Sequence, residues 1–123
     1  MKSKDIKIDA NAAKKDSNVN SKTLSKALRT LKSRFATSDI KNMKEIPGEY
    51  ITGIRSALGL GYNTLINRYH DPRKLTLEDI LNTADITGTD YEIVLKVAMR
   101  EALRNHTKRD ISKLLPTDGE KTD

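Results

Sequence analysis

An all-α fold is predicted for this chain, and three observations predict it. Apolar residues recur at spacings of three and four in successive stretches between Leu24 and Leu103. Glycine and proline punctuate those stretches at Pro47-Gly48, Gly59-Leu60-Gly61, Asp71-Pro72 and Gly88. Two pairs of residues, Thr76 with Asp79 and Thr89 with Glu92, have the three-residue spacing of a capping box at a helix start.

Met1 to Asn20 is polar, rich in Lys, Asp, Asn and Ser, and has no apolar period. Residues 1–20 are therefore expected to be a disordered basic arm, since they bury too little surface to offset the entropy of ordering. A basic amphipathic helix is expected over residues 21–37. Leu24, Leu28, Leu31 and Phe35 form its apolar face, Lys22, Lys26, Arg29, Lys32 and Arg34 surround it, and Ser21 or Thr23 is the expected N-cap. Packing on the rest of the chain, pairing with a second copy and lying along DNA all suit such a helix; its apolar face is narrow for a membrane surface.

Residues 38–115 are expected to form the main domain. A short helix from Ser38 to Ile46, with Ile40, Met43 and Ile46 facing inward, should end at Pro47-Gly48. Two helices then flank Gly59-Leu60-Gly61, in the pattern of a helix-turn-helix. Ile51, Ile54 and Leu58 share the inner face of the first. Leu65, Ile66 and Tyr69 share that of the second, which leaves Asn63, Thr64, Asn67 and Arg68 mostly outside. Gly59 suits a left-handed helix end, and Leu60 is expected to drop into the angle between the helices.

After a loop at His70 to Lys74, the Thr76 capping box opens a helix with Leu77, Ile80, Leu81 and Ala84 on its buried face, ended by Gly88. The longest helix should run from about Asp90 to Asn105. Its apolar stripe is wider than one domain needs, so Val94, Val97, Ala98, Met99 and Leu103 are the expected interface of a homodimer. Residues 116–123 read as a disordered tail.

Composition narrows the function. The net charge is +6, but it is uneven: from Met1 to Pro47 there are twelve Lys or Arg against five Asp or Glu, and from Gly48 onward eleven against twelve. An acidic partner such as nucleic acid fits this balance. The absence of cysteine excludes disulfides and thiolate metal sites. No apolar run has the length of a membrane span and no secretory signal is evident, so the expected location is the cytoplasm and a membrane role is not expected. Gly59-Leu60-Gly61 lacks the third glycine and the lysine of a phosphate-binding loop. His70 and His106 stand apart without ligand partners, and no acid/base pair rises above the charged background. Neither an enzyme, a metal, a cofactor nor a small-molecule ligand is expected.

The run Leu58-Gly59-Leu60-Gly61-Tyr62-Asn63-Thr64-Leu65, with Lys44-Glu45-Ile46 before it and Asp71-Pro72-Arg73-Lys74-Leu75-Thr76-Leu77-Glu78-Asp79-Ile80 after it, resembles the Cro/repressor-like helix-turn-helix proteins. The similarity is greatest to the small divergent regulators of Bacteroidetes and their phages, and covers roughly Ser38 to Leu103. It implies five helices, with the second and third forming the reading unit, preceded here by the extra amphipathic helix. It also implies that Tyr62, Asn63 and Thr64 lie at the groove-facing start of the reading helix, with Asn67 one turn on. Arg68, Arg73 and Lys74 then suit phosphate contacts. Two positions depart from the family's pattern: Arg55 stands where a small residue is usual, and Gly61 where a capping Ser or Asn is usual.

The expectation is thus a sequence-specific transcriptional regulator of bacterial, phage or mobile-element origin, binding double-stranded DNA as a dimer. Two alternatives use the same fold. One is a protein-interaction module such as an antitoxin or phage accessory protein; the other is a DNA-coating or virion-associated protein using the basic N-terminal arm.

Overall fold

The computed structural model describes residues 19–116. The expected arm and tail lie almost entirely outside the described residues. Within these, six α-helices and two 3₁₀ turns occur and no strand. The helices are α1 (Ser21–Ala36), α2 (Glu45–Glu49), α3 (Ile51–Leu58), α4 (Tyr62–His70), α5 (Leu77–Thr87) and α6 (Tyr91–Arg104). One 3₁₀ turn, Pro72–Lys74, joins α4 to α5, and the other, Ser112–Leu114, follows α6.

One core holds all six helices. Leu31 and Phe35 of α1 are buried with Ile40, Met43 and Ile46, with Ile54, Leu65 and Tyr69, and with Ile80 and Val94. The N-terminal helix thus packs on the rest of the chain, against α2, α3 and α5. Each fully buried Leu or Ile contributes about 1.5–3 kcal/mol by its transfer from water. The cap of α1 is Asn20, outside the expected pair: its Oδ1 accepts from the Thr23 N–H at 3.0 Å. The Asn20 N–H in turn donates to the Tyr50 hydroxyl at 2.8 Å, which ties the start of α1 to the start of α3.

The segment expected as a helix from Ser38 to Ile46 is a turn through Lys44 and becomes helical only at Glu45, although Ile40, Met43 and Ile46 are buried as expected. The α1 helix ends with Ser38 in the left-handed region at φ 59°, with the Asp39 N–H on the Arg34 carbonyl at 2.7 Å and the Ser38 N–H on that of Phe35 at 3.1 Å. This is a Schellman end, here without glycine. The turn beyond is held by acids: Glu45 Oε2 accepts from the N–H groups of Lys41 (3.1 Å) and Asn42 (2.9 Å), and Glu101 accepts from the Met43 N–H at 2.7 Å. Pro47 lies inside α2 instead of ending it, because a first-turn proline forfeits no intrahelical hydrogen bond.

The capping box of Thr76 and Asp79 forms as expected, but that of Thr89 and Glu92 does not: Asp90 precedes α6 with no side-chain cap, and the Thr89 hydroxyl turns back to the Thr87 carbonyl. The expected dimer surface needs correction as well. Val94, Val97 and Ala98 are buried inside the protomer, on a helix that packs on α5 and the Pro72–Lys74 turn, so they are unable to meet a second copy; Met99 and Leu103 remain exposed.

Candidate nucleic-acid interface

The α3–α4 pair has the break that the sequence calls for. Gly59 sits at φ 70°, a conformation that costs a side chain steric energy, and the Leu60 N–H reaches back to the Arg55 carbonyl at 3.2 Å. Leu60 packs on the core from this position. Arg55 is half-buried, and its Nη1 donates to the Leu60 carbonyl at 3.4 Å, so one arm of its guanidinium is turned into the break. The α3 and α4 backbones are not among the closely packed pairs; α4 leans on α2 and on the 3₁₀ turn.

A ladder of buried groups fixes the inner face of α4. Leu65 and Tyr69 are fully buried. The Tyr69 hydroxyl is 2.6 Å from the Thr83 hydroxyl and donates to the Asp79 carbonyl at 3.4 Å. Burial pushes the Tyr69 phenol up to about 12. Beside it, Arg68 Nη1 donates to both carboxylate oxygens of Asp79, at 3.1 and 3.2 Å. The same carboxylate accepts from the Thr76 N–H at 2.9 Å, so Asp79 both caps α5 and seats α4 on it. Arg68 thus has a role the expectation lacked: its Nη1 is paired with a buried acid, and about a third of its side chain is exposed.

The outer face is polar and open. Asn63 and Asn67 are exposed, Tyr62 stands 57% exposed at the first helical position, and Thr64 is half-buried. Gly61 precedes them in an extended conformation with no side-chain cap, which leaves the first amide groups of α4 without a side-chain acceptor. Of the expected loop cations, Lys74 is exposed, whereas Arg73 pairs with Asp71 at 2.9 Å and donates to the Asn105 carbonyl at 3.3 Å. That hydrogen bond from Arg73 holds the Asp71 carboxyl below its ordinary range.

Cationic surface lies elsewhere. Helix α1 has no acidic residue, and Lys22, Lys26, Arg29 and Lys32 are all exposed on it. Lys32 leans toward Gly88 at the C-terminal end of α5, where carbonyl dipoles favour a cation. Arg34, at the other edge of α1, is held by Asp39, Glu45 and Glu49 and faces the turn.

No protein family, curated protein or solved structure matches this chain. Among the described residues no cluster of three or more His, Cys, Asp or Glu is arranged to hold a metal ion. No helix among them is long and apolar enough to cross a membrane.

Three features of the site were not read in the sequence. The Arg68–Asp79 pair joins residues eleven apart across a loop, and helical phase alone does not bring them together. Gly53 lets α1, Tyr50 and α3 close up: a Cβ there would fall 2.6 Å from the Tyr50 ring and 3.0 Å from Leu24. The burial of Glu101 had a signal, since it falls three residues after Ala98 and four after Val97, on the buried face of α6.

Proposed function

We propose that this protein binds double-stranded DNA as a Cro/repressor-like helix-turn-helix regulator, with α4 as the reading helix. The single observation that carries the reading is the two-sided character of α4. Leu65, Arg68 and Tyr69 lock one face to the body, while Asn63 and Asn67 stand in solvent on the other. An Asn side chain offers the donor and acceptor pair that matches the N6 and N7 edge of adenine, and a helix of this width fits the major groove. Tyr62 and Lys74 flank the amides and supply phosphate or sugar contacts, with the uncapped amides at the start of α4 beside them. A module of this size reads only a few base pairs, so a dimer on a two-fold site is part of the proposal.

One observation favours a second reading. The exposed cations are concentrated on α1, and a coating protein that ignores sequence needs little else. Selection of bound duplexes from a random-sequence pool separates the two. The regulator enriches a defined site, and Asn63→Ala with Asn67→Ala abolishes the enrichment while the protein stays folded. The coating protein retains no preferred sequence, and its binding collapses when Lys22, Lys26 and Arg29 are changed to Gln. Deleting α1 is not a usable test, because Ala27, Leu31 and Phe35 belong to the core.

A further inference from the structure

Helix α6 carries two cations that no acid holds among the described residues. Lys96 and Arg100 lie four residues apart on one face of the helix, and neither comes within ion-pair distance of a carboxylate. Arg104, one turn on, is bound to the Asn42 side chain at 2.7 Å, and Glu101 is turned inward onto the Met43 N–H. Between the free pair and the end of α1 lies a cavity of about 170 Å³. Phe35, Ile40 and Val97, all buried, form its apolar floor, and Ile93 forms a wall. Lys96 and Arg100 are the only charged residues that line it. Ser38 lines it too. Its hydroxyl makes no hydrogen bond among the described residues, and its carbonyl accepts from the Lys41 ammonium at 2.9 Å, so a third cation stands at the same edge. Of the acids nearest in sequence, Asp39 accepts from Arg34 at 2.9 Å, and Glu92, one turn before Lys96, makes no ion pair with it.

We infer that this cavity binds a compact organic acid, a carboxylate carried on one ring or a short branched chain. The carboxylate meets Arg100, Lys96 and the Ser38 hydroxyl, and the apolar body lies against Phe35, Ile40 and Val97. Charge and shape select this occupant together. An arginine fork presents paired donors that match a carboxylate. A DNA phosphate or an inorganic ion would meet the cations but leave the apolar floor unused; a neutral hydrocarbon would use the floor and leave the cations idle. The volume suits one ring and is small for the larger ligands that pockets of about 300–1,000 Å³ take. The floor belongs to the core and is in place before binding, so little ordering entropy is lost. Nothing in the sequence pattern marks this site, because Ser38 and Lys41 meet Lys96 and Arg100 only in the fold. It is separate from α4 and does not depend on whether α4 reads DNA.

The test is a titration of the full chain with benzoate, followed by backbone-amide NMR at constant pH and ionic strength. Saturable shift changes are expected at Phe35 to Ile40 and at Ile93 to Arg100. Benzamide has the ring without the charge, and acetate and inorganic phosphate have charge without the ring; each is expected to bind at least about tenfold more weakly. Arg100→Gln should weaken benzoate by about tenfold or more, as the loss of a charge-assisted hydrogen bond implies. Ile93→Ser should weaken it by a smaller factor, and Lys108→Gln, an exposed cation beyond α6, should leave it unchanged. All three positions are exposed, so helical circular dichroism should be retained. Absence of saturable shifts overturns the inference. Equal binding of acetate or phosphate also overturns it, by making this face a general anion surface, and equal binding of benzamide does so by making it a neutral apolar pocket. Benzoate binding that Arg100→Gln leaves intact overturns it as well.

Discussion

Helices α1 and α4 are built on one plan and finished with different chemistry. Each buries a stripe of large apolar residues and shows its other face to water. On α1 that face is cationic, with Lys22, Lys26 and Arg29 and no acid; on α4 it is made of amides, with Asn63 and Asn67, and the one arginine is tied to Asp79. Charge attracts a polyanion without regard to sequence, whereas amides discriminate between bases and contribute little long-range attraction. Under the proposed function, affinity and discrimination are therefore divided between two helices, and substitutions should separate them.

The largest effect is expected where α4 is seated. Asp79→Ala leaves Arg68 without its acid and orphans the Thr76 N–H, which removes the Asp79 half of the capping box of α5 while the Thr76 half remains. It should lower stability by about 3 kcal/mol in urea unfolding, somewhat less than for a fully buried pair because Arg68 is partly exposed. A loss under about 1 kcal/mol would show that α4 does not depend on this seat.

The same seat predicts an alkaline transition. Tyr69 has its folded pKa raised to about 12, so its contribution is complete below the unfolded value near 10 and is lost as pH rises from there toward 12. The full loss is about 2–3 kcal/mol. Tyr69→Phe should flatten that part of the stability profile, as followed by thermal melts between pH 9 and 12. Tyr91, held up by the Asp85 carboxylate, is exposed and should leave only a small residual slope.

On DNA the comparison sharpens further. Asn67→Ala should cost about 1–3 kcal/mol of discrimination at one base pair and leave the salt dependence unchanged. Changing Lys22, Lys26 and Arg29 to Gln should weaken binding to all duplexes alike and reduce the slope of log K against log salt by up to about 3. Titrations at several salt concentrations with matched and mismatched duplexes measure both. The smallest effect is at Gly61, where the backbone is extended and an added side chain meets nothing within 4 Å. Gly61→Ser should add a few tenths of a kcal/mol by capping α4.

Much of the fold was legible because it is written in local patterns. The apolar phases place the helices, and Gly59, Gly88 and the Thr76–Asp79 box end or start them as read. What failed depended on side-chain bonds that apolar phase does not assign, near in sequence as well as far. The Ser38–Lys44 turn is shaped by Glu45 and by Glu101, the latter 58 residues from its bond partner Met43. Val94, Val97 and Ala98 looked like surplus surface because the elements that α6 packs on, α5 and the Pro72–Lys74 turn, are brought to it only by the fold. In the candidate site, the exposure of Asn63 and Asn67 followed from helical phase, whereas the capture of Arg68 by Asp79 required the fold.

The most direct measurement is a backbone-amide NMR map of the protein titrated with its selected duplex. The account predicts shift changes concentrated at Tyr62 to Asn67, together with Lys22 to Arg29 on α1. Changes confined to α1 and the residues before it, with α4 silent, would contradict it.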